Sequence, residues 1–249
     1  MMGACVLSAK SILRSGVGLL TVYIPKTAEL IMQTSVPEAM VLIDSNDNCI
    51  SGCPNLDKYS VVGVGPGIGT SSETKKAISD LINQVKVPTV FDADALNILS
   101  RMYKWWNKVD DNAILTPHPG EMSRLTSLSI NEIQSNRINV AQEFSCKWNK
   151  IVVLKGANTV IASPDGEVWV SKFANPALAS AGTGDVLAGI IAGLLAQNVS
   201  MVDAALLGVY IHGLTGETFG KSSGLLASDL LESIPFIMDR LRINKGFKN

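Results

Sequence analysis

Short apolar runs alternate with longer amphipathic or apolar segments along most of the chain. The short runs are rich in valine and isoleucine, which is typical of strands that are buried on both faces. Such strands, alternating with helices, predict an α/β fold with a mostly parallel sheet between two layers of helices. The predicted strands are residues 19–24, 59–64, 88–91, 113–115 and 151–154, followed by a hairpin of residues 159–162 and 167–170.

The segments between these strands have the length and spacing of helices. Apolar and basic residues mix from position 6 to position 14, and Gly16 and Gly18 follow as stop signals. No linker, low-complexity segment or repeat divides the chain, so residues 1–249 are predicted to form a single domain. The other predicted helices are residues 71–83, 131–149, 184–197, 202–219 and 225–241.

Composition narrows the class of protein. Apolar residues make up 47% of the chain and charged residues 17%, which argues against disorder, and the net charge of -1 argues against nucleic acid as a partner. The longest apolar stretch is too short to span a membrane. Lys10 and Arg14 interrupt the first apolar stretch, so no secretory signal is expected and the predicted location is cytoplasmic. The cysteines are spaced too widely for a zinc framework.

Unusual sequences follow four of the predicted strands. Ligands of open α/β sheets bind beyond the carboxyl ends of the strands, so these sequences predict one functional rim. The four segments are residues 65–69 (Gly-Pro-Gly-Ile-Gly), 92–97 (Asp-Ala-Asp-Ala-Leu-Asn), 116–121 (Thr-Pro-His-Pro-Gly-Glu) and 155–159 (Lys-Gly-Ala-Asn-Thr).

Familiar nucleotide-binding motifs are not matched. The glycines from Gly63 to Gly69 do not fit the dinucleotide fingerprint, so this loop is either a tight turn or a close backbone approach to a ligand. Gly220, Lys221 and Ser222 resemble the end of a P-loop, but Thr215 stands in place of its first glycine. We interpret this near-match as a helix end and a loop.

The clearest signal for chemistry is residues 175–185 (Asn-Pro-Ala-Leu-Ala-Ser-Ala-Gly-Thr-Gly-Asp), directly before a helix. Small residues allow close backbone approach, and the free amides and dipole of a helix start form a site for phosphate oxygens. Asp185 lies in this first turn. It either compensates the helix dipole or accepts a proton from a hydroxyl that attacks a phosphoryl group, and we favour the second role.

The chain has two histidines. His118 lies between two prolines in a predicted loop at a strand end, a rigid position that favours ligand contact. His212 lies in an apolar helix and is predicted to be an interior residue. Because no Ser/His/Asp or Cys/His arrangement is evident, nucleophilic hydrolysis has little support.

The Gly182–Asp185 turn, taken with the other segments named above, resembles the ribokinase-like superfamily. Within that superfamily, the chain resembles the bacterial ADP-dependent (S)-NAD(P)H-hydrate dehydratases. The resemblance implies a three-layer α/β/α sandwich and an enzyme of the hydro-lyase class. The resembling segments are residues 11–22, 61–69, 89–99, 114–121, 151–161 and 175–193.

The resemblance also implies roles for individual residues. Asp185 would be the catalytic base, and Glu121 would steer Mg²⁺ through water. Gly184 and the segment 155–159 would bind the adenine nucleotide, and the bacterial form of the His118–Glu121 motif implies ADP as co-substrate. The residues implied for the nucleotide are Lys155, Gly156, Ala157, Asn158, Thr159 and Gly184; those implied for the hydrated dinucleotide are Ala4, Gly67, His118 and Asp185.

The implied reaction restores hydrated NADH or NADPH, called NADHX and NADPHX, to the intact cofactor. Phosphorylation by ADP would turn the ring hydroxyl into a good leaving group, and the products would be NAD(P)H, AMP and phosphate. Family members begin with a strand and a glycine-containing loop that have no counterpart here, so one internal strand of the sheet is expected to be missing. A homo-oligomer, with a tetramer favoured, is implied, and the sequence does not separate NADHX from NADPHX.

Two other functions fit parts of the same pattern. A ribokinase-like kinase of a vitamin precursor, such as hydroxyethylthiazole or hydroxymethylpyrimidine, would share the Gly-Thr-Gly-Asp turn but release a stable phosphorylated product. A nucleotide sensor would bind adenine nucleotide without turnover.

Overall fold

The structure is a computed structural model that describes residues 1–220 and 224–244. Its strands are β1 (Thr21–Ile24), β2 (Met40–Ile43), β3 (Val62–Val64), β4 (Thr89–Phe91), β5 (Ala113–Leu115), β6 (Ile151–Leu154), β7 (Val160–Ala162) and β8 (Val168–Val170). Its helices are α1 (Met2–Arg14), α2 (Glu29–Ser35), α3 (Ser72–Gln84), α4 (Ala93–Leu99), α5 (Pro119–Thr126), α6 (Ile130–Ser135), α7 (Arg137–Trp148), α8 (Thr183–Leu195), α9 (Met201–Thr218) and α10 (Ala227–Asn244).

The central sheet has the strand order β3-β4-β5-β6-β7-β8. Neighbouring strands from β3 to β6 are parallel, and β7 runs antiparallel to both β6 and β8. The carboxyl ends of β3 to β6 therefore lie at one edge, which is where the predicted rim was expected. The mostly parallel sheet and the terminal hairpin are both confirmed.

Helices cover both faces of this sheet because successive side chains of a strand point to opposite faces. On β4, Val90 packs into the core beneath α8, α9 and α10, whereas Phe91 packs into the core beneath α3, α4, α5 and α7. Ile114 and Leu115 of β5 divide in the same way. Each strand is thus apolar at consecutive positions, and the three-layer α/β/α sandwich is confirmed.

The sheet is interrupted beside β3. Strands β1 and β2 form a separate parallel pair, and β1 does not pair with β3. A cavity of about 520 Å³ lies between the two sheets, lined by Thr21 and Val22 of β1 and by Val62 and Gly63 of β3. The two sheets are therefore separate, and β1 and β3 are not hydrogen-bonded neighbours.

Helix α1 packs closely against α8. Ser8 Oγ donates to the carbonyl of Asp185 at 3.0 Å, and Ser11 Oγ donates to the carbonyl of Val186 at 2.6 Å. A Cβ atom at Gly189 would lie 2.6 Å from both the Cβ of Ser11 and the carbonyl oxygen of Ser8. Glycine is therefore required in α8, and this contact fixes the first turn of α8 against α1.

Several elements differ from the sequence predictions. The predicted helix of residues 131–149 is two helices that break at Asn136, whose backbone leaves the helical region. Residues 116–121 are not a simple loop, because His118 caps the start of α5. Helices α2 and α4 and strand β2 were not predicted: the two helices are short, and β2 is largely exposed.

Two further outcomes concern the rest of the chain. No helix among the described residues has the length and apolar character needed to cross a bilayer. Of the segment that resembles a P-loop, Gly220 follows the end of α9 with a φ of 69°, as predicted for a helix end, whereas Lys221 and Ser222 lie outside the described residues.

Candidate active site

The glycine loop after β3 lies against the turn after β4. Gly65 has a φ of +129°, and a Cβ atom there would lie 1.7 Å from the carbonyl oxygen of Asp92. Only glycine permits this approach. The amide of Gly69 donates to Asp94 Oδ2 at 2.9 Å, which joins the two segments again. Two of the four predicted rim segments are therefore in direct contact.

The turn before α8 is held by its own side chains. Asn175 Nδ2 donates to the carbonyls of Gly216 and Gly220 at 3.0 and 2.8 Å, which ties the turn to the end of α9. Thr183 Oγ1 donates to the carbonyls of Leu178 and Ser180. Gly182 precedes the helix with a φ of +87°, and no side chain caps the first turn of α8. This leaves a rigid, uncapped helix start of the kind that binds phosphate oxygens.

Asp185 lies in the first turn of α8 and is half-buried. Burial is the main cause that raises the pKa of its carboxyl to about 6, and the negative charge of Asp92 adds to the rise. Lys155 opposes the rise. A carboxylate with this pKa is mostly ionised at neutral pH and is a stronger base than an exposed aspartate, so it is suited to accept a proton.

Lys155 links three rim segments. Its Nζ lies 2.5 Å from Asp92 Oδ1 and 3.8 Å from Glu121 Oε2. A Cβ atom at Gly184 would lie 3.3 Å from the same Nζ, so the ammonium faces the first turn of α8. Burial lowers the pKa of Lys155, but the charges of Asp92 and Glu121 outweigh burial and raise it above its ordinary value. Lys155 is therefore a permanent positive charge at the helix start.

His118 and Glu121 form a capping box at the start of α5. His118 Nδ1 accepts from the amide of Gly120 at 3.0 Å, and Glu121 Oε2 accepts from the amide of His118 at 2.8 Å. Burial and the charges of Lys155 and Arg124 lower the pKa of His118, so its imidazole is neutral at neutral pH. Burial raises the pKa of Glu121, whereas Lys155 opposes that rise. His118 stays half exposed and available to a ligand.

Residues 155–159 form a tight connection between β6 and β7. Gly156 has a φ of +148°, and Thr159 Oγ1 donates to its carbonyl at 3.1 Å. Asn158 has a φ of 54°, and its Nδ2 donates to the carbonyl of Ser171. Gly156, Ala157 and Asn158 are exposed, so the predicted nucleotide loop presents its backbone to solvent at the rim.

The loop that contains Gly67 lies against Met1, the residue before α1. The amino group of Met1 donates to the carbonyl of Gly67 at 2.7 Å, and Gly67 has a φ of +72°. Ala4 follows in the first turn of α1. Ser8 of the same helix bonds to Asp185. Ala4, Gly67 and Asp185 therefore lie in or against α1 and the residue before it, and the role of these residues and of His118 in binding the dinucleotide stays a prediction.

Two residues that support the site were not assigned from the sequence. Asp92 is almost fully buried and pairs with Lys155. His212 was predicted as an interior residue, which is confirmed, but its Nε2 also lies 2.9 Å from the carbonyl of Thr183. Burial lowers the pKa of His212 to about 4, so a neutral ring donates this hydrogen bond to the turn of α8. The Asp-Ala-Asp sequence after β4 was a signal for Asp92.

The fold and the uncapped glycine turn with its aspartate define a ribokinase-like α/β protein. A ribokinase-like superfamily protein from Enterococcus faecalis superposes with a TM-score of 0.81 at 26% identity, covering 96% of this chain and 82% of that one. The sequence profile described as NAD(P)H-hydrate dehydratase matches residues 1–236. The chain therefore belongs to the NAD(P)H-hydrate dehydratase family.

Individual relatives agree with this assignment. The bifunctional NAD(P)H-hydrate repair enzyme of Moorella thermoacetica is 38% identical over 96% of this chain and 47% of its own length. The ADP-dependent (S)-NAD(P)H-hydrate dehydratase of Bacillus subtilis is 33% identical over 96% of this chain and 86% of its own length. A crystal structure of the Bacillus subtilis ADP/ATP-dependent NAD(P)H-hydrate dehydratase with ATP and Mg²⁺ superposes with a TM-score of 0.85, covering 96% of this chain and 85% of that one. The chain spans about half the length of the bifunctional relatives.

Proposed function

We propose that this chain catalyses the ADP-dependent dehydration of (S)-NAD(P)H-hydrate to NAD(P)H, with release of AMP and phosphate. The observation that carries the proposal is the position of Asp185. Its carboxyl, with a pKa raised to about 6, lies in the uncapped first turn of α8, which also faces the Lys155 ammonium. A base, a phosphate-binding helix start and a fixed cation are the groups that phosphoryl transfer to a hydroxyl requires.

The proposed binding mode follows the exposed backbone of the rim. The nucleotide lies along residues 155–159 with its phosphates at Gly184, and the hydrated nicotinamide lies among Ala4, Gly67 and His118. Because the substrate is itself a dinucleotide held at this rim, the chain has no need of a dinucleotide fingerprint. The ring hydroxyl is then in line with the β-phosphorus of ADP, next to Asp185.

In the first step, Asp185 accepts the hydroxyl proton while the hydroxyl oxygen bonds to the β-phosphorus of ADP. The bond from that phosphorus to the oxygen bridging the two phosphates breaks, and AMP leaves. In the second step, the lone pair of the ring nitrogen expels the new phosphate ester by breaking its carbon–oxygen bond. Loss of a proton from the adjacent ring carbon restores the double bond of NAD(P)H, so no oxidant is required.

Charge on the phosphates is met by the chain and by a cation. The amides of the Gly182–Gly184 turn and the Lys155 ammonium donate to phosphate oxygens. Glu121 would hold Mg²⁺ only through water, because its Oε2 already accepts from the His118 amide and lies near Lys155. This arrangement fits Mg²⁺, which keeps several waters and takes ligands from substrate phosphates. When bound, Mg²⁺ would neutralise charge on the transferred phosphoryl group.

Three finer features belong to the same proposal. The His118–Glu121 motif resembles the bacterial form, which supports ADP rather than ATP as the phosphoryl donor. We also propose a homo-oligomer, with a tetramer favoured, and a cytoplasmic location, since the substrates are soluble cofactors of metabolism. Light scattering from the purified protein measures its mass in solution and so tests the proposed oligomer.

The assay that tests the proposed activity uses purified protein with hydrated NADH, ADP and Mg²⁺. We expect the near-ultraviolet absorbance of the dihydronicotinamide ring to return, with one AMP and one phosphate formed for each NADH. If the chain is instead a vitamin-precursor kinase, the absorbance should not recover with this mixture. A stable phosphorylated product should then form when ATP and a hydroxyethylthiazole or hydroxymethylpyrimidine are supplied. That second result would overturn the proposal.

A further inference from the structure

The ion pair between Asp92 and Lys155 is short and buried, and it replaces a hydrogen bond that the Asp92 side chain would be expected to make. Asp92 is the residue before α4, a position where an aspartate normally caps the helix with its side chain. Here its carboxylate makes no capping bond and instead accepts from Lys155 Nζ at 2.5 Å. The side chains of the pair are 2% and 15% exposed. Helix α4 therefore has no side-chain cap from Asp92, because the Asp92 carboxylate bonds to the Lys155 ammonium instead.

The backbone on both sides of this pair is fixed. The amide of Asp92 donates to the carbonyl of Val64 at 3.1 Å, and the next residue, Ala93, has a φ of 49° that an alanine rarely adopts. The amide of Lys155 donates to the carbonyl of Pro117 at 2.8 Å, and Arg137 donates to its carbonyl oxygen. Because the backbone of both residues is fixed and their side chains bond to each other, the Lys155 ammonium is held at one place.

That place faces the phosphate site. The Lys155 Nζ lies 3.3 Å from a Cβ atom built on Gly184, in the first turn of α8. Three carboxylates, those of Asp92, Glu121 and Asp185, act on this one ammonium. Only Asp92 is within hydrogen-bond distance, so Asp92 determines where the positive charge lies.

We propose that Asp92 is a positioning residue, which holds the Lys155 ammonium at the start of α8 so that Lys155 contacts the phosphate being transferred. This inference rests on the proposed function, and it places Lys155 at the phosphates rather than along the adenosine part of the nucleotide. By its charge alone, Asp92 would weaken the binding of phosphate. By positioning Lys155, Asp92 strengthens that binding.

The sign of that effect provides the test. Removing a negative charge near a phosphate site strengthens phosphate binding if charge alone matters. If Asp92 positions Lys155, the same removal weakens phosphate binding because the ammonium loses its fixed place. Adenosine has no phosphate, so neither effect reaches it.

The experiment is calorimetric titration of ADP and of adenosine into the wild type and Asp92→Asn. We expect Asp92→Asn to weaken ADP by about tenfold, the value of a charged hydrogen bond, and to leave adenosine within about twofold. The matched control is Asp111→Asn, which removes the partner of Lys150, another buried lysine with an Nζ to carboxylate distance of 2.5 Å. Asp111 lies before β5, away from the rim, and the control should bind ADP as the wild type does.

Further variants guard against a folding defect. Asp92→Glu keeps the charge but displaces the ammonium, so it should also weaken ADP and not adenosine, with a melting temperature near that of the wild type. The double variant of Asp92→Asn and Lys155→Met should bind ADP no more weakly than Lys155→Met, because the two residues act as a unit. Unchanged or tighter ADP binding by a folded Asp92→Asn or Asp92→Glu would overturn the positioning role.

Turnover separates this inference from the proposed function. In the hydrated-NADH assay, Asp92→Asn should lower kcat, whereas the control Asp111→Asn should leave kcat at the wild-type value. A wild type that binds ADP as described but restores no NADH contradicts the proposed function alone, whereas a wild type that binds no ADP contradicts both.

Discussion

The Asp185 carboxyl is partly buried, and its proposed role is to accept a proton from the substrate hydroxyl. Burial and the neighbouring Asp92 charge raise its pKa to about 6, and the free enzyme needs it ionised to accept a proton. We therefore expect kcat/KM to fall as the pH drops through about 6, with an acidic limb of unit slope. Initial rates of NADH recovery across buffered pH values measure this limb. A limb near the pKa of an ordinary aspartate would contradict the raised value.

The same shift predicts an effect on stability. A carboxyl whose pKa is raised from 3.8 to about 6 on folding destabilises the folded state above pH 6, and this cost disappears as the pH falls below 3.8. Asp185→Asn should therefore have a higher melting temperature than the wild type at pH 7, with the difference shrinking towards pH 4. Calorimetric melting at several pH values checks this, and a variant that is less stable at pH 7 would refute it.

For single residues, the sequence motifs predicted where a residue lies in the fold, but not which partner its side chain contacts. His118 and Lys155 were assigned to the rim, and they follow the carboxyl ends of β5 and β6. Asp185 was assigned to a helix start, and it lies in the first turn of α8, which the Lys155 ammonium faces. The pairing of Asp92 with Lys155 was not predictable, because the spacing between them carries no information on side-chain direction. The cap formed by His118 was likewise hidden behind the prolines around it.

Among the elements, α1 and α8 have the closest helix packing near the site. Glycine at position 189 lets Ser8 and Ser11 bond to the carbonyls of the first turn of α8. Gly189→Ala should lower the free energy of unfolding by about 1–3 kcal/mol, because the added methyl group overlaps both serines. Urea unfolding measures the change.

A control lies in the same helix pair. Gly3 is in α1, and a Cβ atom there has no neighbour within 4 Å. Gly3→Ala should leave stability unchanged or raise it slightly, since alanine favours the helix. Equal losses from both substitutions would mean that the packing of α1 on α8 does not explain the need for glycine.

Element types followed from the sequence wherever the apolar pattern was strong. Strands β5 and β6 have the predicted bounds, because these buried parallel strands are apolar at every position. Strand β2 was missed because it is largely exposed and has no alternation, and α4 was missed because its seven residues are too few for a helical period to show.

For the whole molecule, the interruption between β1 and β3 divides the sheet into parts of unequal support. The six-stranded sheet lies between two large cores, whereas the β1–β2 pair packs on a small one that includes Ile24 and Met32. A two-stranded unit has little stability of its own. In hydrogen exchange, we expect the amides of β1 and β2 to exchange faster than those of β4 and β5. Equal protection would contradict this division.

The mostly parallel sheet and the position of the rim were predicted because short apolar strands alternate with helices. The strand order of the sheet was not predicted. The separation of the β1–β2 pair from the large sheet was not predictable from local sequence, since no pattern in residues 19–64 indicates which strands pair. Pairing depends on edges that are distant in sequence, and a single chain does not reveal them.

The central claim is that the start of α8 holds a phosphoryl group while Asp185 activates the hydroxyl that attacks it. The most direct test is the rate of NADH recovery from hydrated NADH and ADP by Asp185→Asn, measured with its affinity for ADP. We predict a loss of turnover of about 10²- to 10⁴-fold with ADP affinity within a few-fold of the wild type. Turnover equal to that of the wild type would contradict the account.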